Sequence, residues 1–535
     1  MSDVAASQAI DGCVAIGYEA MKGSGSTTTG AHYSIAIGKE SLKAITTGSS
    51  NLAIGYQSMT ALTTGASNIA IGGNTLDAAD GGETGNIAIG DSALGAMDEG
   101  SGHANYNIGI GHLALTGGAG NATMTGNIAI GASALNSTSV NAQVGTIAIG
   151  YEALTAANSV DTQGSVAIGY QAGAKVTEGV ANVLIGQNVG YQGTYGMTTG
   201  DHNTAIGYKA FGGNAGADGA TMHNNVCVGF NAGYVMQGAS SDNVLVGSYS
   251  GIAMTTGIRN TAVGKGSLDE LTTGNYNTAV GYEAMHQIDG GEENNTGIGF
   301  RAGTNLDGGV NNTFVGGGTT VNGATDDNNT IIGQGSVGGG TNSATLGYGV
   351  TGQAANAVTL GNASVTAVYA AQDSGAVVYC SGVNFPDTQA ASADANTLDD
   401  YEEGYHTVTA VGSSSGNFVL NGTNEELSYT KIGRICHING AVQIDSDNSA
   451  SGDIRFSLPF TSQDLTDLAG RAYGTAFLIN AGSTISQKAI IHIAEGTAYM
   501  VITLISDDGA TYPNVTHAEV DGSWFLGFSI TYPAA

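Results

Sequence analysis

The sequence predicts an all-β protein: a parallel β-roll or β-solenoid shaft of about 20 coils, followed by a C-terminal β-sandwich or jelly-roll knob. One phrase, Ile-Ala-Ile-Gly or a close variant, returns twenty times between residues 14 and 361. No proline precedes Pro386, as expected where each coil donates its backbone N–H groups to the next. Past residue 400 the phrase is gone, and short alternating apolar runs replace it together with three of the four prolines and the only tryptophan.

The repeat glycines begin with Gly17, Gly38 and Gly55 and end with Gly333, Gly347 and Gly361, at intervals of 14 to 22 residues. A constant coil with a loop of variable length accounts for that spread. Before each glycine stands Ile, Val or Leu, two before it usually Ala, and three before it Ile, Val, Leu or Thr in nearly every copy. Period-two alternation makes this a strand of about four residues with two distinct faces. The branched residues are expected to fill the coil, and the alanines to form an exposed stripe small enough for an identical chain to pack against. Four before the glycine, Asn occupies fourteen of the twenty copies, among them Asn51, Asn68, Asn127, Asn260 and Asn312. Amides stacked at one corner predict a hydrogen-bonded ladder, with mere tolerance of a tight turn as the plainer alternative.

After the glycine, segments such as Tyr18–Met21, Tyr56–Met59 and Asp91–Leu94 end in Leu or Met and predict a second short strand with an inward side chain. Turns such as Thr63-Thr64-Gly65 and Thr272-Thr273-Gly274 then reverse the chain, with glycine expected at positive φ. At about 4.8 Å per strand, twenty coils stack to about 90 Å. The phrase Asn-x-Ala-Ile-Gly, with coils shortening to fourteen residues at Asn342–Gly347 and Asn356–Gly361, resembles the head repeats of YadA-like trimeric adhesins. That resemblance implies a left-handed parallel β-roll and a homotrimer.

The shaft is expected to span residues 1–370, with a capping strand near Val365–Ala371. Residues 371–400 read as cap and linker, because 387–400 are small, polar and acidic. Residues 401–535 form the knob, where apolar runs at 427–433, 434–444, 453–458, 473–479, 489–494, 498–505 and 523–532 predict seven or eight strands. Within it Leu398-Asp399-Asp400-Tyr401-Glu402-Glu403-Gly404, then Tyr429–Arg434 and Ser457–Phe460, resemble the C-terminal domain of many tailed-phage tail fibre and virion proteins. Proteins of that group carry this domain at the free tip of a trimeric fibre.

Net charge is −31, from 13 Lys and Arg against 44 Asp and Glu, and no basic stripe exists. Nucleic acid and anionic membrane surfaces are therefore disfavoured as partners. Cys13, Cys227, Cys380 and Cys436 are scattered, and Cys227 and Cys436 read as small buried apolar residues, so neither a disulfide framework nor a zinc site is expected. The first residues lack a basic segment and a long apolar run, and no stretch reaches the length of a membrane span, so neither a secretory signal nor membrane insertion is expected.

Receptor contact is expected in knob loops, at Asp445, Asp447, Asn448, Asp507, Asp508 and Tyr512, because loops vary freely where a repeat cannot. Asp445-Ser446-Asp447-Asn448, closing at Gly452-Asp453, also clusters oxygen ligands in the manner of a calcium loop, but it lacks the spaced glutamate of an EF-hand, and a solvated hairpin loop is the favoured reading. His437 and His492 lie within predicted strands and are expected to be packed, so no metal or other cofactor is predicted. Acidic residues of the shaft, such as Glu83, Asp98, Glu99, Glu292 and Glu293, fall in variable turns, so the carboxylate pair of a glycan-cleaving enzyme is not expected. Tyrosines at 18, 56, 151, 170, 208, 282 and 348 form a stripe that either stacks on sugars or shields the glycine turns, and the second is favoured. Together the resemblances imply a homotrimeric, non-enzymatic fibre of an extracellular phage virion. It would join other tail or baseplate proteins and bind a host surface receptor, a glycan or an outer-membrane component. A bacterial trimeric adhesin and a capsule-degrading tailspike are the alternatives.

Overall fold

A computed structural model describes residues 11–23, 29–96, 104–117, 123–136, 143–157, 162–192, 195–212, 222–366, 368, 401–463, 471–480, 488–494, 496–504 and 524–534. The chain divides into two compact units, Met1–Tyr369 and Ala370–Ala535. Among the described residues there are strands and turns but no α-helix.

In the first unit twenty strands of three residues, from Val14–Ile16 to Val358–Leu360, pair in parallel into one sheet. Each repeat bonds to the next in phase: Ile35 faces Leu52, Ala36 faces Ala53 and Ile37 faces Ile54. The same register holds at the far end, where Ala344 faces Val358. This is the parallel β-solenoid that the repeat predicts.

The two strand faces are reversed from expectation. Ala36, Ala53, Ala70, Ala88, Ala129 and Ala148 expose no surface, whereas the branched residues beside them lie outward and are only half-buried. The reason is the width of the coil. Met21, Leu42, Met59, Leu76 and Leu94 project inward from the opposite wall and are buried, which leaves room for a methyl group and not for a second branched side chain. The few large residues in the alanine column obey the same limit. Leu184 is met by Gly173, Leu245 by Gly233 and Gly251, and Phe314 by Gly303; a Cβ on Gly173 would lie 2.8 Å from Leu184 Cδ1, and one on Gly303 2.9 Å from Phe314 Cδ2. The exposed stripe of the shaft is thus made of Ile and Val, and not of Ala.

At Tyr18–Met21, Tyr56–Met59 and Asp91–Leu94 the chain after the repeat glycine is a turn and not the expected second strand; a few coils add a two-residue strand elsewhere, such as Ala104–Asn105 and Met124–Thr125. Glu19 (φ 55°) and Met21 (φ 49°), like Gln57 (φ 54°) and Met59 (φ 52°), alternate into the left-handed region, so this wall is a run of turns. It still bonds coil to coil, with Glu40 N donating to Tyr18 O and Met21 N to Ser41 O. The repeat glycine itself is required twice over. Gly55 has φ 138°, and a Cβ there would sit 2.0 Å from Gly72 O, so these glycines stack backbone on backbone. Gly65 is not left-handed as expected, and close approach requires it instead: a Cβ would lie 2.3 Å from Glu83 O.

The Asn column forms the ladder. Asn68 Nδ2 donates to Asn51 Oδ1, Asn86 to Asn68 and Asn107 to Asn86, each at 3.1 Å. The series resumes with Asn203 on Asn182 and runs through Asn260 on Asn243 and Asn277 on Asn260. Each Oδ1 also accepts the next backbone N–H, as Asn260 Oδ1 does from Asn277 N at 2.9 Å. Asn260→Ala removes that acceptor and orphans two donors of Asn277, which is expected to cost about 2 kcal/mol or more. Exposed Thr64→Ala, at a turn position with ordinary φ, should change stability by less than about 0.5 kcal/mol. Urea titrations of the two variants check this, and equal midpoints would contradict the ladder's role.

The second unit is one antiparallel sheet of ten strands. Its path runs Tyr401–Thr407, Glu426–Ile432, Ile435–Ser446, Trp524–Pro533, Ala472–Asn480, Lys488–Ile493, Tyr499–Leu504, Ile454–Ser457 and Ala410–Gly412, with Val419–Leu420 beside Ile435–Ser446. All seven expected runs are strands. The expected sandwich or jelly roll takes the form of a single sheet curled about its own core, because the two long central strands pair from Ile435–Pro533 to Ile444–Trp524 and accumulate twist along their length. Cys436, Ile438, Val442, Ile444, Leu526, Phe528, Ile530 and Tyr532 fill that core. Val365 closes a turn, its N–H donating to Asn362 O, and neither it nor Thr366 or Val368 is in a strand; the rest of the expected capping segment, 367 and 369–371, lies outside the described residues. Residues 371–400 lie outside the described residues.

Candidate functional site

Repetition of one backbone places like side chains in columns up the solenoid. Two outward columns, three and one residues before the glycine, carry the branched residues; Ile16, Ile206, Val263, Val280, Ile298, Ile332 and Leu360 are exposed. Immediately after the glycine runs an aromatic column. Tyr18, Tyr56, Tyr151, Tyr170, Tyr208, Tyr282 and Tyr348 are all exposed, and Phe230 and Phe300 join them. Tyr151 stacks on Tyr170 at 5.3 Å and 13°, Tyr208 on Phe230 at 5.3 Å and 15°, and Tyr282 on Phe300 at 5.5 Å and 9°. Lys39 and Lys265 lie 5.6 Å from the ring centres of Tyr56 and Tyr282, and Arg301 5.4 Å from that of Phe300. Stacking on a sugar needs a free ring face. Here neighbouring rings and cations occupy many of those faces, and the column supports itself. Tyr282 and then Arg301 hold the Glu283 carboxyl below its usual range, so the column's one close Arg–carboxylate pair, at 2.6 Å, is itself part of that packing.

Among the described residues one group of three carboxylates draws together: Asp289, Glu292 and Asp307, with oxygens within 4.8 Å of one another. Such a set has the chemistry to hold a divalent cation. Glu292, however, is buried, and its two oxygens accept the N–H groups of Gly290 and Gly308, each at 2.9 Å. Glu83 is buried in the same way and accepts from Gly81 N at 3.2 Å. These two glutamates do not sit in turns open to any side chain, as sequence reading placed them. They clamp the matching Asp-Gly-Gly-Glu turns at 80–83 and 289–292, and that repeated phrase was the available signal. Asp98 and Glu99 lie outside the described residues.

In the second unit Asp445 is the last residue but one of its strand, exposed, with Oδ2 accepting from Asn421 Nδ2 at 3.2 Å and Oδ1 from Gln443 Nε2 at 3.1 Å. Asp447 O accepts Ala450 N at 2.7 Å while Asn448 and Ser449, at φ 38° and 64°, turn the chain. Asp453 bonds through its backbone to Ser413. The segment is a polar turn and not the expected hairpin, since Ile435–Ser446 and Ile454–Ser457 pair with other strands and not with each other; Asp445 and Asn448 reach solvent, and the carboxylates of 445–453 do not converge on one point. Asp507, Asp508 and Tyr512 lie outside the described residues.

The three short segments singled out in the knob do meet. Glu402 pairs with Lys431 across adjacent strands, and the buried Lys431 ammonium lies 5.1 Å from the Phe460 ring. Tyr429 meets the same ring edge-on at 5.3 Å, and Tyr532 Oη donates to Phe460 O at 2.8 Å. The cluster fastens the loop after Ile454–Ser457 to the sheet, a structural role. Among the cysteines, Cys227 and Cys436 are buried as expected, burial pushing both thiols up, while Cys380 lies outside the described residues.

His437 is exposed and bonds Thr531 Oγ1 at 2.9 Å on the neighbouring strand, so it is not packed as expected. His492 bonds Thr503 at 3.2 Å and His406 bonds Ser457 at 3.0 Å, and burial holds both imidazoles below their usual range. The unfolded chain therefore binds more protons as pH falls below the ordinary histidine value of about 6.5. Stability from these two groups is present above that pH and is lost as pH falls through the lower folded values. The second unit should melt at lower temperature at pH 5.5 than at 7.5, and His406→Gln with His492→Gln should flatten the difference. A double variant with the parent's pH slope would sink this account.

No family model, curated protein or solved structure matches the chain. No helix among the described residues is long and apolar enough to cross a membrane.

Proposed function

We propose that this protein is a homotrimeric attachment fibre of a tailed-phage virion, with the solenoid as shaft and the antiparallel unit as the part that contacts a host surface receptor. The observation that carries the reading is the outward ladder of branched side chains on the solenoid, broken at one position by Ala344. Twenty strands at about 4.8 Å, each about 10 Å long, offer roughly 900 Å² per chain, against about 800 Å² per partner in a stable interface. Identical chains share the spacing and so can match the ladder along its length. The corrected side-chain directions move the proposed interface from the alanines to the isoleucines. Three knobs on one shaft would turn weak single contacts into firm adhesion, and the exposed turn at Asp445–Asn448 is where such contact is proposed.

Light scattering of the full chain at micromolar concentration should give about three times 53.2 kDa, and the purified protein should compete with virions for host cells. A monomer would remove the fibre, and a trimer that never competes would remove the receptor role.

A further inference from the structure

The outward face of the shaft changes character along its length. In nine consecutive strands, from Ile35–Ile37 to Val183–Ile185, the first outward residue is Ile, Leu or Val and the second is Ile. In five consecutive strands, from Thr261–Val263 to Thr330–Ile332, the first is Thr and the second is Val or Ile. Both runs keep the same backbone and parallel register. They differ in what an apposed chain would meet. Thr has nearly the shape of Val but carries a hydroxyl, and removing a hydroxyl from water without a new partner is unfavourable. An all-hydrocarbon seam gains from every chain that covers it, at about 25 cal/mol per Å². None of these outward positions is charged, so copies that each carry −31 meet there without charge against charge.

We infer that the chains of the fibre are clamped by the seam from Ile35–Ile37 to Val183–Ile185, and that Thr261–Ile332 is a hydrated, weaker seam in which the chains separate more readily. The occupant of both seams is another copy of this chain. The inference rests on the self-association proposed above and adds that it is unevenly distributed. Its consequence for a fibre is that the grip lies in the N-terminal half of the solenoid, while the C-terminal half has freedom to part.

Two full-length variants and a labelling probe test this. Ile108→Thr, Ile128→Thr and Ile147→Thr combined should raise the concentration at which the assembly dissociates about tenfold or more, because the hydrocarbon seam is interrupted. Thr278→Ile, Thr296→Ile and Thr313→Ile combined should lower it. All six positions point outward, so circular dichroism of the coil should match the parent in both. In the assembled protein a cysteine at position 296 (Thr296→Cys) should react with a maleimide at least about ten times faster than one at 128 (Ile128→Cys), above the parent's background. Equal labelling rates, or an isoleucine triple variant that dissociates like the parent, would overturn the inference. A parent that is monomeric at micromolar concentration would overturn the underlying association as well, and is recognised from the parent alone.

Discussion

Ala148→Phe is expected to unravel the coil that contains it, at a cost above the roughly 1–3 kcal/mol usual for overpacking. Ala148 exposes no surface, and the opposite wall of its coil carries Leu154, also fully buried. Nothing between these walls can retreat, because the coils above and below hold the backbone through Ala129 and Ala167 in register. The molecule shows the condition under which a large residue is accepted in this column. Leu184 and Leu245 occur where the fourth residue after the repeat glycine is Gly190 or Gly251, and Gly173, at the same place in the coil before Leu184, could not bear a Cβ. Leu154→Gly stands at that same position, and added to Ala148→Phe it should restore part of the lost stability. Ile149→Phe, one residue on and outward, lies in the proposed seam: it should weaken assembly yet keep the circular dichroism of the coil that Ala148→Phe loses. Thermal melts of the three variants decide the matter; Ala148→Phe melting with the parent would mean that alanine does not line the interior.

The contrast shows which levels of structure the sequence carried. Strand position, register, the Asn ladder and the glycine column were legible because twenty copies display them, and a feature that recurs at every coil must stack on itself. The inward face was not legible from the strand. Period-two alternation separates Ala148 from Ile147 and Ile149 without saying which side is enclosed. The opposite wall decides, through left-handed residues such as Glu152 and Leu154 whose conformation no strand or helix propensity announces. Glu83 and Glu292 were misplaced for a related reason, since a carboxylate in a glycine-rich turn looks solvated until the turn closes over it. In the knob, strand locations followed from local alternation, but the pairing of Ile435–Ser446 with Trp524–Pro533 spans about ninety residues of chain and has no local signature. Of the proposed contact residues, only Asp445, Asp447 and Asn448 fall on described chain, and they form a turn and no more elaborate site.

Deleting thirty-four residues, 248–281, is expected to disturb the shaft far less than deleting Ala262 alone. The long deletion removes two whole coils, from one repeat glycine at Gly247 to another at Gly281. It joins Gly247 to Tyr282, which continues the coil with the same glycine–tyrosine step found at Gly17 and Gly55. Asn243 then lies one coil below Asn295 and Val244–Val246 beside Thr296–Ile298; because Met285 takes the place of Gly251 opposite Leu245, the deletion is made together with Leu245→Ala, which restores the alanine that faces Met285 in the parent coil. The solenoid shortens by about 10 Å, at about 4.8 Å per coil, and its neighbour interactions are otherwise rebuilt. Loss of Ala262 alone shifts one strand by a residue, and a shift of one exchanges the two faces. Thr261 would enter the slot that admits a methyl group, Asn260 would leave the ladder for the outer face, and Arg259 would fall at the buried Asn corner. An unpaired charge there and two broken rungs together should cost about 3 kcal/mol or more. Circular dichroism melts, with particle lengths from electron microscopy, measure both variants: the long deletion should melt near the parent on a shorter particle, and the single deletion should melt well below it. If the single deletion melted with the parent, the coils would tolerate either face inside, and the assignment of alanine to the interior and isoleucine to the outer seam would fall with it.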